Sequence, residues 1–150
     1  MAGDEHTLLL VRVSGILGLA SSLHRRKATP LWLRGAVRAG LPANTFDAVA
    51  TETGVPVARL TLLLGIPPRT LARRKAAGLL APEESDRLYR LARSYAQMVE
   101  VLGTAEKARH WLITPNRALG GEPPLDLLDT EIGARQVEEV LLRMEHGIFS

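Results

Sequence analysis

From Asn44 to Gly78 the chain is punctuated so often that no long element fits. Gly54 and Pro56, Gly65 with Pro67 and Pro68, and Gly78 separate three stretches of roughly two to three helical turns each. Glycine ends a helix readily in the left-handed conformation, and proline cannot continue one, so each cluster reads as a stop followed by a restart. Between the stops the apolar residues recur at helical spacing. Phe46, Val49 and Ala50 follow a cap at Asn44 or Thr45, Leu60, Leu63 and Leu64 lie in a helix over Val57–Leu64, and Leu71 belongs to one over about 69–77. Such a segment has to be a set of short helices that stabilise one another by packing.

Composition points the same way. Of 150 residues 26 are Leu and 19 are Ala, while aromatics make up only 4%, which disfavours a β-sandwich or barrel and predicts an all-α fold. The absence of cysteine excludes disulfide frameworks, thiolate zinc sites and Cys nucleophiles. A reducing, cytoplasmic setting fits that absence.

The flanking regions from Thr29 onward read as helical as well. Residues 8–23 are apolar but contain Arg12, fall short of the ~20 residues that span a bilayer, and follow Asp4 and Glu5 where an export signal would be basic. They read as an N-terminal tail, or as a strand or helix lying on the domain, with no membrane role. Thr29-Pro30 opens a short helix through Trp32, Leu33, Ala36 and Val37 that Gly40 and Pro42 close. After Gly78, Pro82-Glu83-Glu84 starts a long helix whose stripe is Leu88, Leu91, Tyr95, Met98, Val99 and Leu102, ended by Gly103. Thr104 caps a short helix with Ala108, Trp111 and Leu112, a turn-rich segment covers 114–124, and a last helix from near Thr130 carries Val137, Val140, Leu141 and Met144 to Gly147.

The formal net charge of +3 is unevenly spread: residues 1–80 carry +7 and residues 81–150 carry −4. The basic part is the candidate for a polyanion. Two helices joined by a turn at Gly65 make a helix-turn-helix, with Leu64 and Ile66 facing inward and Leu71 pinning the second helix to the first. That second helix projects Arg69, Thr70, Arg73, Arg74 and Lys75, residue types that hold phosphates and read guanine edges in a major groove. Two positions depart from the usual pattern: Arg74 stands where an apolar residue is commoner, and Pro67 replaces a capping Ser or Thr. The plainer alternative is a solvated basic helix in a small bundle.

No active site assembles. His6, His24, His110 and His146 lack the spacing that puts two metal ligands on one helical face, the serines lack a nucleophile-elbow context, and Gly120-Gly121 lacks a following phosphate-binding Lys. Asp126, Asp129 and Glu131 precede a helix and suit capping. The expectation is no enzyme, no metal and no cofactor.

The acidic half carries a more specific signal. Glu84-Ser85-Asp86-Arg87-Leu88, Lys107-Ala108-Arg109-His110-Trp111-Leu112, Pro115-Asn116 and Ala118-Leu119-Gly120-Gly121 lead into Pro124-Leu125-Asp126-Leu127-Leu128-Asp129-Thr130. Gly133-Ala134, Val137-Glu138 and the ending Glu145-His146-Gly147-Ile148-Phe149-Ser150 follow in order. Over about residues 44–150 this resembles the antitoxins of RES-Xre toxin–antitoxin pairs, the MbcA/ParS/Xre toxin-binding family. The resemblance implies an Xre-like helix-turn-helix domain that binds operator DNA, followed by a small helical domain that blocks a cognate RES-domain toxin, one that consumes NAD or uses it for ADP-ribosylation. It also implies toxin-facing elements at Asn116 and Arg117 and at Glu145, His146, Gly147, Ile148, Phe149 and Ser150. A capped helix end with Ile148 folded back on it is the alternative for that tail.

The expected layout is an extension over 1–40, the helix-turn-helix over 41–80, a connecting helix over 81–103 and the toxin-binding domain over 104–150. A homodimer would match a two-fold operator. The competing reading is a stand-alone helix-turn-helix regulator whose C-terminal half only dimerises.

Overall fold

The computed structural model describes residues 2–19 and 29–147, with side chains from residue 5 onward. Nine α-helices and one 3-10 turn account for most of the described residues, so the all-α expectation holds. The chain divides into two compact units, Met1–Arg93 and Ser94–Ser150.

In the first unit α1 (Ala2–Ile16) packs on α3 (Asn44–Thr53) and buries Leu10, Val13 and Ile16, with Leu17 buried just beyond it. As far as Ile16 the apolar N-terminal stretch is thus a helix lying on the domain, and residues 20–23 of that stretch lie outside the described residues. In α2 (Pro30–Ala39), Thr29 is the N-cap, its hydroxyl accepting the Trp32 N–H at 3.1 Å, and Pro30 occupies the first turn where its missing N–H costs nothing.

The chain after α2 and the chain after α5 (Pro68–Ala77) lie side by side. Leu80 donates its N–H to the Leu41 carbonyl at 2.9 Å, and Ala43 donates to the Gly78 carbonyl at 2.9 Å. Gly40 has φ 94, and a Cβ there would fall on the Leu80 carbonyl oxygen, so the crossing needs glycine on both counts. This closure changes one local expectation. Neither Asn44 nor Thr45 caps α3: Ala43 holds the cap position without a side-chain bond, and buried Thr45 donates its hydroxyl to the Pro42 carbonyl at 2.7 Å. The backbone pairing of residues 41–43 already fixes how the chain enters the helix.

Helix α4 (Val57–Leu64) ends at Gly65, φ 65, with Ile66 N–H donated back to the Thr61 carbonyl at 2.9 Å and the Ile66 side chain buried. That is a Schellman turn with its apolar clasp. Leu60, Leu64, Ile66, Leu71 and Phe46 are all buried, as a helix-turn-helix requires.

Helix α6 (Pro82–Leu102) starts in the first unit and continues into the second, where Tyr95, Ala96 and Met98 are buried. Thr104 caps α7 (Ala105–Ile113) through Lys107 N–H, and Thr130 caps α9 (Glu131–Glu145) through Gly133 N–H at 3.0 Å. The short α8 (Pro124–Leu127) packs against both α7 and α9. Leu125, Leu127 and Leu128 are buried with Ala108, Leu112, Val137 and Leu141, which forms the core of this unit.

Candidate nucleic-acid interface and partner-binding elements

Helix α5 divides its polar residues between two sides. Arg69 and Arg73, one turn apart, are exposed and have no ion-pair partner among the described residues. Ala72 and Ala76 lie beside them, also exposed, so this face sets two neighbouring long cations next to two small side chains. Thr70 is half-buried next to Arg69. A face of this kind can approach a phosphate backbone closely.

Arg74 and Lys75 are engaged within the unit. Arg74 meets Glu84 with both arms of the fork, Nε to Oε1 at 2.9 Å and Nη2 to Oε2 at 3.4 Å, in a partly buried site. The occurrence of an arginine where an apolar residue is commoner is thereby explained: its partner is a buried carboxylate on the next helix. Lys75 Nζ lies 2.9 Å from Asp47 Oδ1 and 5.9 Å from the centre of the Phe46 ring, tying α5 to α3. Both ends of that second pair are well exposed, so it holds Lys75 only weakly.

Sequence reasoning missed the residues that hold this helix pair in place, all in the first turns of α6. Glu84 also accepts the Ala81 N–H at 2.8 Å, and the Ser85 hydroxyl accepts the Leu41 N–H at 2.8 Å. Arg87 Nη1 donates to the Leu64 carbonyl at 3.0 Å, at the end of α4. Burial by itself would raise the Glu84 pKa. The hydrogen bonds from Arg74 and Ala81 and the charges of Arg74 and Arg87 outweigh it, and the carboxyl is held below its ordinary range. The available signal was the Pro82-Glu83-Glu84 start, in which a third-position Glu can reach back to the cap N–H.

In the second unit Asn116 organises the turn-rich segment. Its side-chain oxygen accepts the Ala118 N–H at 2.9 Å, its own N–H goes to the Glu122 carbonyl, and its carbonyl accepts from Leu119 and Gly121. Arg117 is exposed at the start of the 3-10 turn Arg117–Leu119. Beside this turn a concavity of about 480 Å³ is lined by Gly120, Glu122, Asp126, Asp129, Ile132 and Gln136, among others. Ile132 and Leu142 on α9 and Ile113 on α7 are large apolar side chains left exposed. Glu145, His146 and Gly147 are exposed at the end of α9, while Ile148, Phe149 and Ser150 lie outside the described residues. Among the described residues no cluster of three or more His, Asp or Glu could hold a metal ion, and no helix is long and apolar enough to cross a membrane.

Two family models match the chain in order. Residues 33–93 match the antitoxin Xre-like helix-turn-helix domain, and residues 97–147 match the antitoxin Xre/MbcA/ParS C-terminal toxin-binding domain. The chain is 36% identical over 117 residues to an "Antitoxin Xre" of Yersinia enterocolitica, covering 77% of this chain and 79% of that protein. An "Antitoxin Xre" of Photorhabdus laumondii is 30% identical over 141 residues, covering 85% and 95%. A Sphingobium sp. protein named "Prs ADP-ribosylating antitoxin" is 29% identical over 134 residues, covering 83% and 84%. With two relatives of at least 30% identity matched over most of their length, and both domain models in sequence, the chain belongs to the Xre/MbcA/ParS family of antitoxins.

Proposed function

We propose that this antitoxin neutralises a RES-domain toxin that consumes NAD or transfers its ADP-ribose, and that it represses its own operon as a homodimer on a two-fold operator. The observation that carries the toxin's chemistry is the kinship with a protein whose name joins ADP-ribosylation to an antitoxin, over 83% of this chain. The chain acts as an inhibitor and does no chemistry of its own. Asn116 and Arg117 in the turn, Glu145, His146 and Gly147 at the end of α9, and Ile148, Phe149 and Ser150, which follow in sequence, face the toxin. This is supported by the exposure of Arg117 and residues 145–147 and by the toxin-binding match that ends at residue 147.

For DNA, α5 enters the major groove with Arg69, Thr70 and Arg73 foremost, and Lys75 reaches phosphate by leaving its exposed partner Asp47. The support is the exposed face of α5 carrying Arg69 and Arg73, which have no ion-pair partner among the described residues, within a helix-turn-helix match. Half-sites about one helical turn apart, or a multiple of it, suit such a dimer.

The deciding experiment is co-expression with the product of the adjacent reading frame. The two proteins should co-purify, and cells making the neighbour alone should lose NAD and stop growing until this chain is supplied. A neighbour that leaves NAD untouched would overturn the assignment of the toxin. Operator binding with no co-purifying protein would favour the stand-alone regulator.

A further inference from the structure

Three side chains in the first two turns of α6 grip the helix-turn-helix at separate points. Ser85 holds the Leu41 N–H, Arg87 holds the Leu64 carbonyl, and Glu84 holds Arg74 in the last turn of α5. The first two reach backbone groups at the edges of the motif. Of the three, Glu84 alone touches the helix that carries the exposed basic face, and it does so through a side chain.

Arg74 is among the residues a sequence reading sends to DNA, and its guanidinium chemistry permits that. The geometry points elsewhere. Both arms of its fork are committed to Glu84, and Glu84 is 8% exposed and bound in addition to the start of its own helix. Withdrawing Arg74 toward a phosphate would take from that carboxylate its hydrogen-bonded counter-charge in a poorly hydrated site and leave only the charge of Arg87, a cost that one phosphate contact at a wet interface does not offset. Arg69 and Arg73 face no such cost.

We propose that Arg74 is a positioning residue for DNA recognition: with Glu84 it forms a strut that sets the angle of α5, while Arg69 and Arg73 on the unpaired face touch phosphate or base. The inference rests on the DNA-binding reading above and deepens it.

The two roles predict opposite signs for one variant. Glu84→Gln removes a negative charge close to DNA and frees Arg74, so if Arg74 were a phosphate contact, binding would tighten and its salt dependence would steepen. If the pair is a strut, binding weakens although the protein has become more positive. Gln can still accept the Ala81 N–H, so α6 keeps its start. The measurement is the affinity of the full-length chain for a duplex taken from immediately upstream of its own reading frame, from low to moderate salt, alongside amide hydrogen exchange in α5.

We expect Arg74→Ala to weaken binding about tenfold and Glu84→Gln about threefold, as removing or neutralising a charge-assisted hydrogen bond requires. The slope of log affinity against log salt stays at the wild-type value in both, whereas Arg69→Ala flattens it by about 0.9. The double variant Arg74→Ala, Glu84→Gln binds no worse than Arg74→Ala alone, because the two remove one interaction. Amides of α5 exchange faster in both single variants.

Tighter or unchanged binding by Glu84→Gln, or a slope in Arg74→Ala flattened like that of Arg69→Ala, overturns the strut. A wild-type chain that does not prefer the upstream duplex to a scrambled one overturns the DNA reading instead. Hydrogen exchange then decides the strut separately, and unchanged α5 exchange in Glu84→Gln rejects it.

Discussion

Arg87 closes the end of α4 from another helix: its Nη1 donates to the Leu64 carbonyl at 3.0 Å across 23 residues of sequence. A helix leaves its last carbonyls without partners, and here a turn glycine and a distant arginine share the task. Gly65 sits directly below, so that a Cβ on it would come within 3.3 Å of the same Nη1. The turn of the motif is therefore shaped from both sides.

Replacing Arg87 with Ala should cost the first unit about 1 kcal/mol, the net contribution of an ordinary hydrogen bond, because this arginine is exposed and its charge is screened. Urea denaturation of the full chain measures it. A destabilisation below about 0.3 kcal/mol would mean that solvent satisfies the Leu64 carbonyl equally well.

Gly133→Ala tests the contact of α8 with α9. Helix propensity alone favours Ala by about 1 kcal/mol. A Cβ at this position, however, would fall on the Leu127 carbonyl oxygen, with backbone rather than a flexible side chain in the way. Overpacking of that kind costs about 1–3 kcal/mol, so the net effect should be destabilising and toxin co-purification should fall with it. A more stable Gly133→Ala protein would show that the helices can separate at no cost.

Acid should remove the contribution of Glu84. Its pKa lies below the ordinary 4.5, so the folded state binds the proton less readily than the unfolded chain. The stability it contributes is full above about pH 5 and is lost as the pH falls below 4.5 through the folded-state value. Urea midpoints of wild type and Glu84→Gln should differ by a constant amount at neutral pH and converge on acidification. A difference that persists or widens in acid would contradict the lowered pKa.

Removal of residues 147–150 should separate the two partners. Repression and DNA affinity should stay at the wild-type level, while rescue from the toxin should disappear. Full rescue by the shortened chain would move the toxin contact to the turn around Asn116 and Arg117.

Substitution of Arg69 and Arg73 together should flatten the salt dependence of DNA binding by about two units, close to 0.9 for each phosphate no longer neutralised. An unchanged slope would take α5 out of the groove. Filter binding at a series of salt concentrations is enough to tell.

Much of this molecule is written in local sequence, because caps, stops and helical period depend on backbone preferences that neighbouring residues set. Thr29, Thr104 and Thr130 cap the helices that follow them, and Gly65 with Ile66 ends α4. The inward set Leu64, Ile66 and Leu71 follows from the helical repeat once the turn is known. The resemblance in the acidic half likewise needed only the order of residues.

Tertiary structure decided how the cations of α5 are shared out. The helical repeat shows that Arg69 and Arg73 share a face, but not that Arg74 meets a carboxylate 10 residues on or that Lys75 meets one 28 residues back. Those partners become visible only when α3 and α6 lie beside α5. The same holds for the cap expected at Asn44 or Thr45, which the pairing of residues 41–43 with 78–80 made unnecessary, and for Gly133, whose need for a bare Cα comes from the α8 backbone. Sequence determined most of the helical segments, α1 and the short α8 excepted, and which residues are apolar or charged. Which charge faces a partner and which faces solvent was settled by packing, since an ion pair across helices depends on distances that no single segment contains.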